Sequence, residues 1–120
     1  MATGTPSPSP SPIARYKLIF YTPLPPLEKI KSALFAAGAG THPDGKYTHV
    51  SFESRGTTQF MPRASANPHT GTVGDIEKVE EMRVEVLCAG EAVVKEAVEA
   101  LKREHPYEEV AYEVYKMEDF

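Results

Sequence analysis

The chain has 120 residues, 41% of them hydrophobic and 25% charged, with a net charge of −4. That length holds one domain with a modest core. A net negative charge with 13 scattered Lys and Arg excludes the concentrated basic surface that nucleic acid requires, and no apolar run approaches the roughly 20 residues of a membrane-spanning helix. The single cysteine, Cys88, cannot form an internal disulfide. A lone thiol suits a reducing compartment, and with no charged-then-apolar leader at the N-terminus the expected location is cytoplasmic.

Residues 1–14, MATGTPSPSPSPIA, read as a disordered Ser/Pro-rich tail, because alternating Ser and Pro bury too little to offset ordering entropy. The Ser-Pro steps are either phosphorylation sites or a plain linker. Residues 15–120 read as one domain. YKLIFYT (16–22) is aromatic and branched, a strand apolar on both faces. A helix is predicted over about residues 25–37: Pro25 and Pro26 are tolerated in a first turn, Leu27, Ile30, Leu34 and Ala37 share one stripe, and Gly38 and Gly40 stop it.

GKYTHVSFES (45–54) alternates and reads as the second strand. The next segment, RGTTQFMPRASANPHTGTVGD, is dense in Gly, Pro, Ser, Thr and Asn, and loops of that length in compact domains are usually functional or disordered. EKVEEMRVEVLCA (77–89) sets Met82, Val84 and Val86 against Glu81, Arg83 and Glu85, a half-exposed third strand on which Glu80, Glu81 and Glu85 read as a solvated face. GEAVVKEAVEALKREH (90–105) carries Val94, Ala97, Val98 and Leu101 at helical spacing, and YEEVAYEVYKM (107–117) closes as the fourth strand.

The order β-α-β-β-α-β predicts an α+β, ferredoxin-like domain: a four-stranded antiparallel sheet with two helices on one face. The first strand is apolar on both sides, and the fourth places Ala111 and Tyr115 on its second face. The sheet's outer face is therefore expected to be covered by a partner, which makes the chain an oligomer.

Pro106 removes a backbone donor and drives His105 out of helical conformation, so His-Pro ends the second helix and aims the chain into the last strand. His105 near a helix C-terminus is expected to be favoured when protonated. The alternative gives His105, Tyr107 and Glu108 a ligand-binding role. Thr57, Thr58, Arg63 and Asn67, with the glycines of residues 56–74, offer donors suited to a small anion; the plainer reading is a brace against a neighbouring subunit. Histidines His42, His49 and His69 are the candidate metal ligands, for a divalent ion, although no HxH or HExxH spacing exists and a site needs at least three converging ligands. Cys88, unpaired at the end of its strand, reads as a buried free thiol. There is no Gly-x-Ser-x-Gly elbow, P-loop or dinucleotide fingerprint.

HPYEEVAYEVY (105–115), LFAAGAG (34–40), GKYTHVSF (45–52) and GTTQFMPRASANPHTGTVGDIEKVEEMRVE (56–85) together resemble the small domain inserted in many members of the NIF-three-like family, proteins often labelled GTP cyclohydrolase I type 2 homologues. The resemblance covers about residues 16–116. HPYE also resembles the CutA-like group at the equivalent junction. The resemblance implies a stand-alone version of that insert, with a PII-like or CutA-like fold and homotrimers whose sheets pack together. In PII-like proteins the loop between the second and third strands binds nucleotides. The family's two-metal site lies on flanking halves absent from this sequence, so no metal-dependent hydrolase activity is implied. The expected function is a trimeric binding, regulatory or assembly module. Its rival is an enzyme or metal-binding protein with a site between subunits, formed by the 56–74 loop and His49 or His105.

Overall fold

In the computed structural model, which describes residues 13–120, the elements are β1 (Arg15–Thr22), α1 (Leu27–Ala36), β2 (Phe52–Phe60), β3 (Glu77–Ala89), α2 (Glu91–Glu104) and β4 (Tyr112–Met117), in that order. The strands form one antiparallel sheet in the spatial order β2-β3-β1-β4. The expected α+β ferredoxin-like arrangement is therefore present. Of the predicted tail, residues 1–12 lie outside the described residues. Ala14 already belongs to the fold, its carbonyl accepting the Gly90 N–H at 2.7 Å. At the same end of the sheet Arg15 stands opposite both Ala89 and Met117.

Period-two alternation puts Leu18 and Phe20 of β1 and Val84, Val86 and Cys88 of β3 on one face, where they pack on Leu27, Ile30, Leu34, Val94, Ala97 and Leu101 of the two helices. Each large side chain removed from water there contributes about 1.5–3 kcal/mol. Lys31 on α1 pairs with Glu28 at 3.2 Å and with Glu53 on β2, joining the sheet's edge strand to the helical layer. Burial works against the charge of Lys31, but the two carboxylates outweigh it and raise its pKa. Cys88 is a buried free thiol, and burial pushes its pKa up to about 11. At pH 8 a disulfide exchange reagent should leave the folded chain unmodified and label one thiol only when denaturant is added, because the thiolate is the reactive form. Rapid labelling of the native chain would contradict the packing described here.

The helices and β3 lie close to their predicted bounds, but β2 and β4 do not. Residues 45–51 were expected in the second strand and instead form an excursion. The Gly45 N–H donates to the His42 carbonyl at 2.8 Å, the His42 N–H to Tyr47 O at 3.0 Å, and the Lys46 N–H to Asp44 Oδ1 at 3.0 Å. His49, at φ 58°, ends any extended run. The excursion is anchored at Gly40, whose N–H reaches the Leu87 carbonyl at 2.7 Å and whose own carbonyl takes the Val50 N–H at 2.9 Å. Extended pairing then begins at Phe52 and runs through Gly56–Phe60, a stretch expected in the loop. Likewise β4 starts at Tyr112 and not at Tyr107, because residues 107–111 are bonded to other parts of the chain.

The outer sheet face is mixed and less apolar than expected. Ile19 is buried at its centre, while Lys17 lies 3.8 Å from Glu85 and Arg83 3.4 Å from the same carboxylate. Tyr21 and Tyr115 both donate their hydroxyls to Glu113. Phe52 and Tyr115 are exposed beside this polar network.

Candidate functional site

The end of α2 positions the site. His105 leaves the helix with ψ 138°, as a residue before proline must, and keeps one helical bond from its N–H to Leu101 O. Its ring is fully used. Nδ1 accepts the Tyr107 N–H at 3.1 Å, which leaves Nε2 to carry the proton and donate to the Tyr21 carbonyl at 2.7 Å. This pairing specifies the neutral ring. Burial also pulls its pKa below the ordinary 6.5, outweighing the raising effects of the Tyr21 carbonyl and the Glu81 charge. The expected protonated histidine is thus corrected: desolvation and two backbone bonds outweigh the helix terminus.

Tyr107 is delivered by this clamp, its ring 4.8 Å from that of His105 and 5.9 Å from that of His69. His69 comes from residues 61–76, which fold back over the outer face of the sheet beyond β2. Pro62 is buried, the Gly74 N–H donates to its carbonyl at 2.8 Å, and the Asn67 N–H donates to Glu108 Oε1 at 3.0 Å. Between this loop, Tyr107–Glu109 and the strands lies a cleft of about 510 Å³. That size is within the usual range for small-molecule sites, roughly 300–1,000 Å³.

The floor of the cleft holds a residue that the sequence reading put in solvent. Glu81 is only 5% exposed, and its Oε2 has no hydrogen-bond partner. The Tyr107 hydroxyl is buried against the Glu81 carboxylate, without a hydrogen bond of good geometry. Burial first, and then the charge of Glu81 and a hydrogen bond to it, push the Tyr107 phenol up to about 12. Glu80 and Glu85 do meet the expectation of a surface face: Glu80 pairs with Arg55 at 2.9 Å, and Glu85 with Lys17 and Arg83. Glu81 differs because the loop covers its part of the strand. Gly56 stands directly opposite Glu81 in the β2–β3 register, and a Cβ there would meet nothing within 4 Å.

Thr58, Arg63, His69, Tyr107 and Glu108 all line the cleft. Asn67 contributes through its backbone, and His105 supports Tyr107 from behind. Thr57 points to the other face of β2 by alternation and is not part of the cleft wall. His49 lies tilted against Phe35 at 5.0 Å and His42 edge-on to Tyr47 at 6.0 Å, so the three candidate metal histidines take three different aromatic neighbours. Among the described residues no three His, Cys, Asp or Glu side chains are grouped as a metal site requires. A second depression, of about 560 Å³, lies between α2 and β4 and is lined by Val94, Val98 and Tyr112. Lys95, Glu99 and Glu113 also line it, and it has no buried unpartnered polar atom among the described residues.

One sheet in this order, with both helices on one side, defines a ferredoxin-like domain of the PII-like and CutA-like class. Solved structures agree on that fold. GlnK of Bacillus subtilis superposes with a TM-score of 0.58 at 18% identity over 87% of this chain and 85% of its own, and the divalent ion tolerance protein CutA1 of Ehrlichia chaffeensis with 0.64 at 14% over 90% and 85%. The relationship by sequence is closer to a longer protein. The chain is 41% identical over 102 residues to the GTP cyclohydrolase 1 type 2 homolog of B. subtilis, covering 85% of this chain and 26% of that protein, and 40% identical over 101 residues to its namesake in Mycobacterium leprae, covering 84% and 26%. A Bacillus cereus protein related to NIF3 superposes with a TM-score of 0.79 at 32% identity, over 93% of this chain and 28% of that one. The chain is therefore homologous to one segment of NIF-three-like proteins and spans about a quarter of their length, as the sequence resemblance indicated. No protein-family model matches it. No helix among the described residues is long and apolar enough to cross a membrane.

Proposed function

We propose that this chain is a non-enzymatic binding and regulatory module that assembles as a homotrimer in the cytoplasm and holds a small molecule in the cleft beneath residues 61–76. The observation that carries this reading is the cleft itself, a preformed concavity lined by the buried Glu81 carboxylate, whose Oε2 has no partner of good geometry, and by Tyr107 against it. Buried polar atoms ordinarily find partners, and those that do not mark places where a water, an ion or a ligand completes the bonding. Exposed Phe52 and Tyr115 on the outer sheet face supply apolar area for neighbouring copies. A free buried thiol suits a reducing compartment.

The enzymatic alternative asked His49 or His105 to act with the loop. That alternative placed its site between subunits; within one chain His105 makes two backbone bonds, His49 lies beside Phe35, and neither lines the cleft, which favours the binding reading.

Native mass measurement on the full chain should return three times 13.2 kDa. A thermal-shift screen with nucleotides and divalent metals should find at least one compound that raises the melting temperature, as binding to the native state alone requires. A monomeric mass would remove the assembly half of the proposal, and a flat screen would remove the binding half.

A further inference from the structure

The chemistry of the cleft narrows the class of ligand it accepts. We propose that its deep end takes a protonated amine, amidine or guanidine carried by a small molecule, with Glu81 as counter-ion and the Tyr107 oxygen as a second acceptor. This rests on the reading that the cleft is a ligand site. The motivating observation is Glu81 Oε2, an acceptor on a side chain 5% exposed, aimed into the cleft and without a partner. A buried carboxylate with no cation beside it is costly, and the Tyr107 hydroxyl next to it can meet only one of its lone pairs. The Tyr107 oxygen keeps lone pairs of its own at the same place.

The remaining charges favour the same sign of ligand. Glu81, Glu108 and Glu109 line the cleft against Arg63 and His69. Arg63 is exposed at the rim, and Glu108 already accepts the Asn67 N–H with Oε1. A negatively charged group pushed to the floor would meet Glu81 and find no buried cation. The anionic ligand expected from Thr57, Thr58, Arg63 and Asn67 is thus disfavoured at depth, since Thr57 faces away and Asn67 spends its N–H on Glu108. Phe60, Met61 and Pro68 give the walls apolar surface for a hydrocarbon stem behind the charged head.

The test is calorimetry and thermal shift on the full chain with agmatine and putrescine, alongside ATP and inorganic phosphate. Agmatine is expected to bind and raise the melting temperature. Glu81→Gln, which keeps the shape and removes the charge, should weaken agmatine by about tenfold or more, the usual loss for a charged hydrogen bond. Tyr107→Phe, a milder change that guards against a folding defect in the first variant, should weaken it by about threefold to tenfold. The native mass of both variants should match that of the parent. The proposal is overturned if neither amine binds, if Glu81→Gln binds agmatine as well as the parent does, or if Glu81→Gln alters the native mass, which would make Glu81 a contact between copies. Binding of ATP or phosphate without either amine would sink this inference and leave the cleft as a ligand site. Silence from all four compounds, together with a monomeric mass, would sink both.

Discussion

Replacing Gly40 by alanine should cost roughly 3–4 kcal/mol of folding stability, a large share of the total for a domain of this size. Two effects add. Gly40 has φ 76°, a left-handed conformation that a Cβ strains by about 1–2 kcal/mol. The added carbon would also stand 2.7 and 2.9 Å from two Phe35 ring atoms and 2.9 Å from the Val50 carbonyl oxygen. The ring can swing only by giving up its contact with His49, and the carbonyl is held by the chain on either side. Gly45 separates the two contributions. It has φ 74°, and a Cβ there would meet nothing within 4 Å, so Gly45→Ala should cost only the conformational part. Urea midpoints for both variants, at equal m-values, give the comparison. Equal losses at the two sites would refute the tight packing assigned to Gly40.

His105→Ala should be comparably damaging, by about 3–5 kcal/mol, since it leaves a cavity and strips partners from the Tyr21 carbonyl and the Tyr107 N–H. The same residue makes stability depend on pH, with a definite sign. Its folded pKa lies below the ordinary 6.5, so the unfolded chain takes up a proton that the folded chain resists. Above about pH 6.5 both states are neutral and stability is at its full value. As pH falls from 6.5 towards the folded pKa the unfolded state binds more protons, and stability declines by up to about 1.4 kcal/mol per pH unit. Below the folded pKa this contribution levels off. His105→Gln should remove that slope, as read from urea melts between pH 5 and 8 in steps of about half a unit. A slope retained in the variant would show that His105 is not its source.

The elements that declared themselves in the sequence are those whose local pattern agrees with their tertiary surroundings. The stripe at Leu27, Ile30 and Leu34 faces the sheet and α1 follows it, and the alternation of Val84, Val86 and Cys88 marks β3 along its whole length. The second strand misled because Tyr47, His49 and Ser51 alternate like a strand while Tyr47 O accepts from the His42 N–H and the Val50 N–H donates to Gly40, closing a loop. The Gly and Thr residues of GTTQF look like loop chemistry, yet pair in register with Val79–Glu81. For the site, Thr58, Arg63, His69, Tyr107 and Glu108 could be picked out by residue type and position. Glu81 could not. Alternation along a strand tells which side of the sheet a residue takes, and it is silent on whether a distant loop folds back to close that side.

The strand register has one architectural consequence. Because Arg15 sits across from Met117, the polypeptide enters and leaves the folded body at a single point, and the Arg15 guanidinium, donating to the Glu118 carbonyl at 3.1 Å, latches that doorway. The cleft lies past the far end of β1, beside Tyr21. A cassette built this way can be spliced between two neighbouring residues of a larger host with little distortion of either, while its cleft projects clear of the graft. Relatives more than three times as long, in which this segment is roughly a quarter of the chain, have the proportions of such a graft.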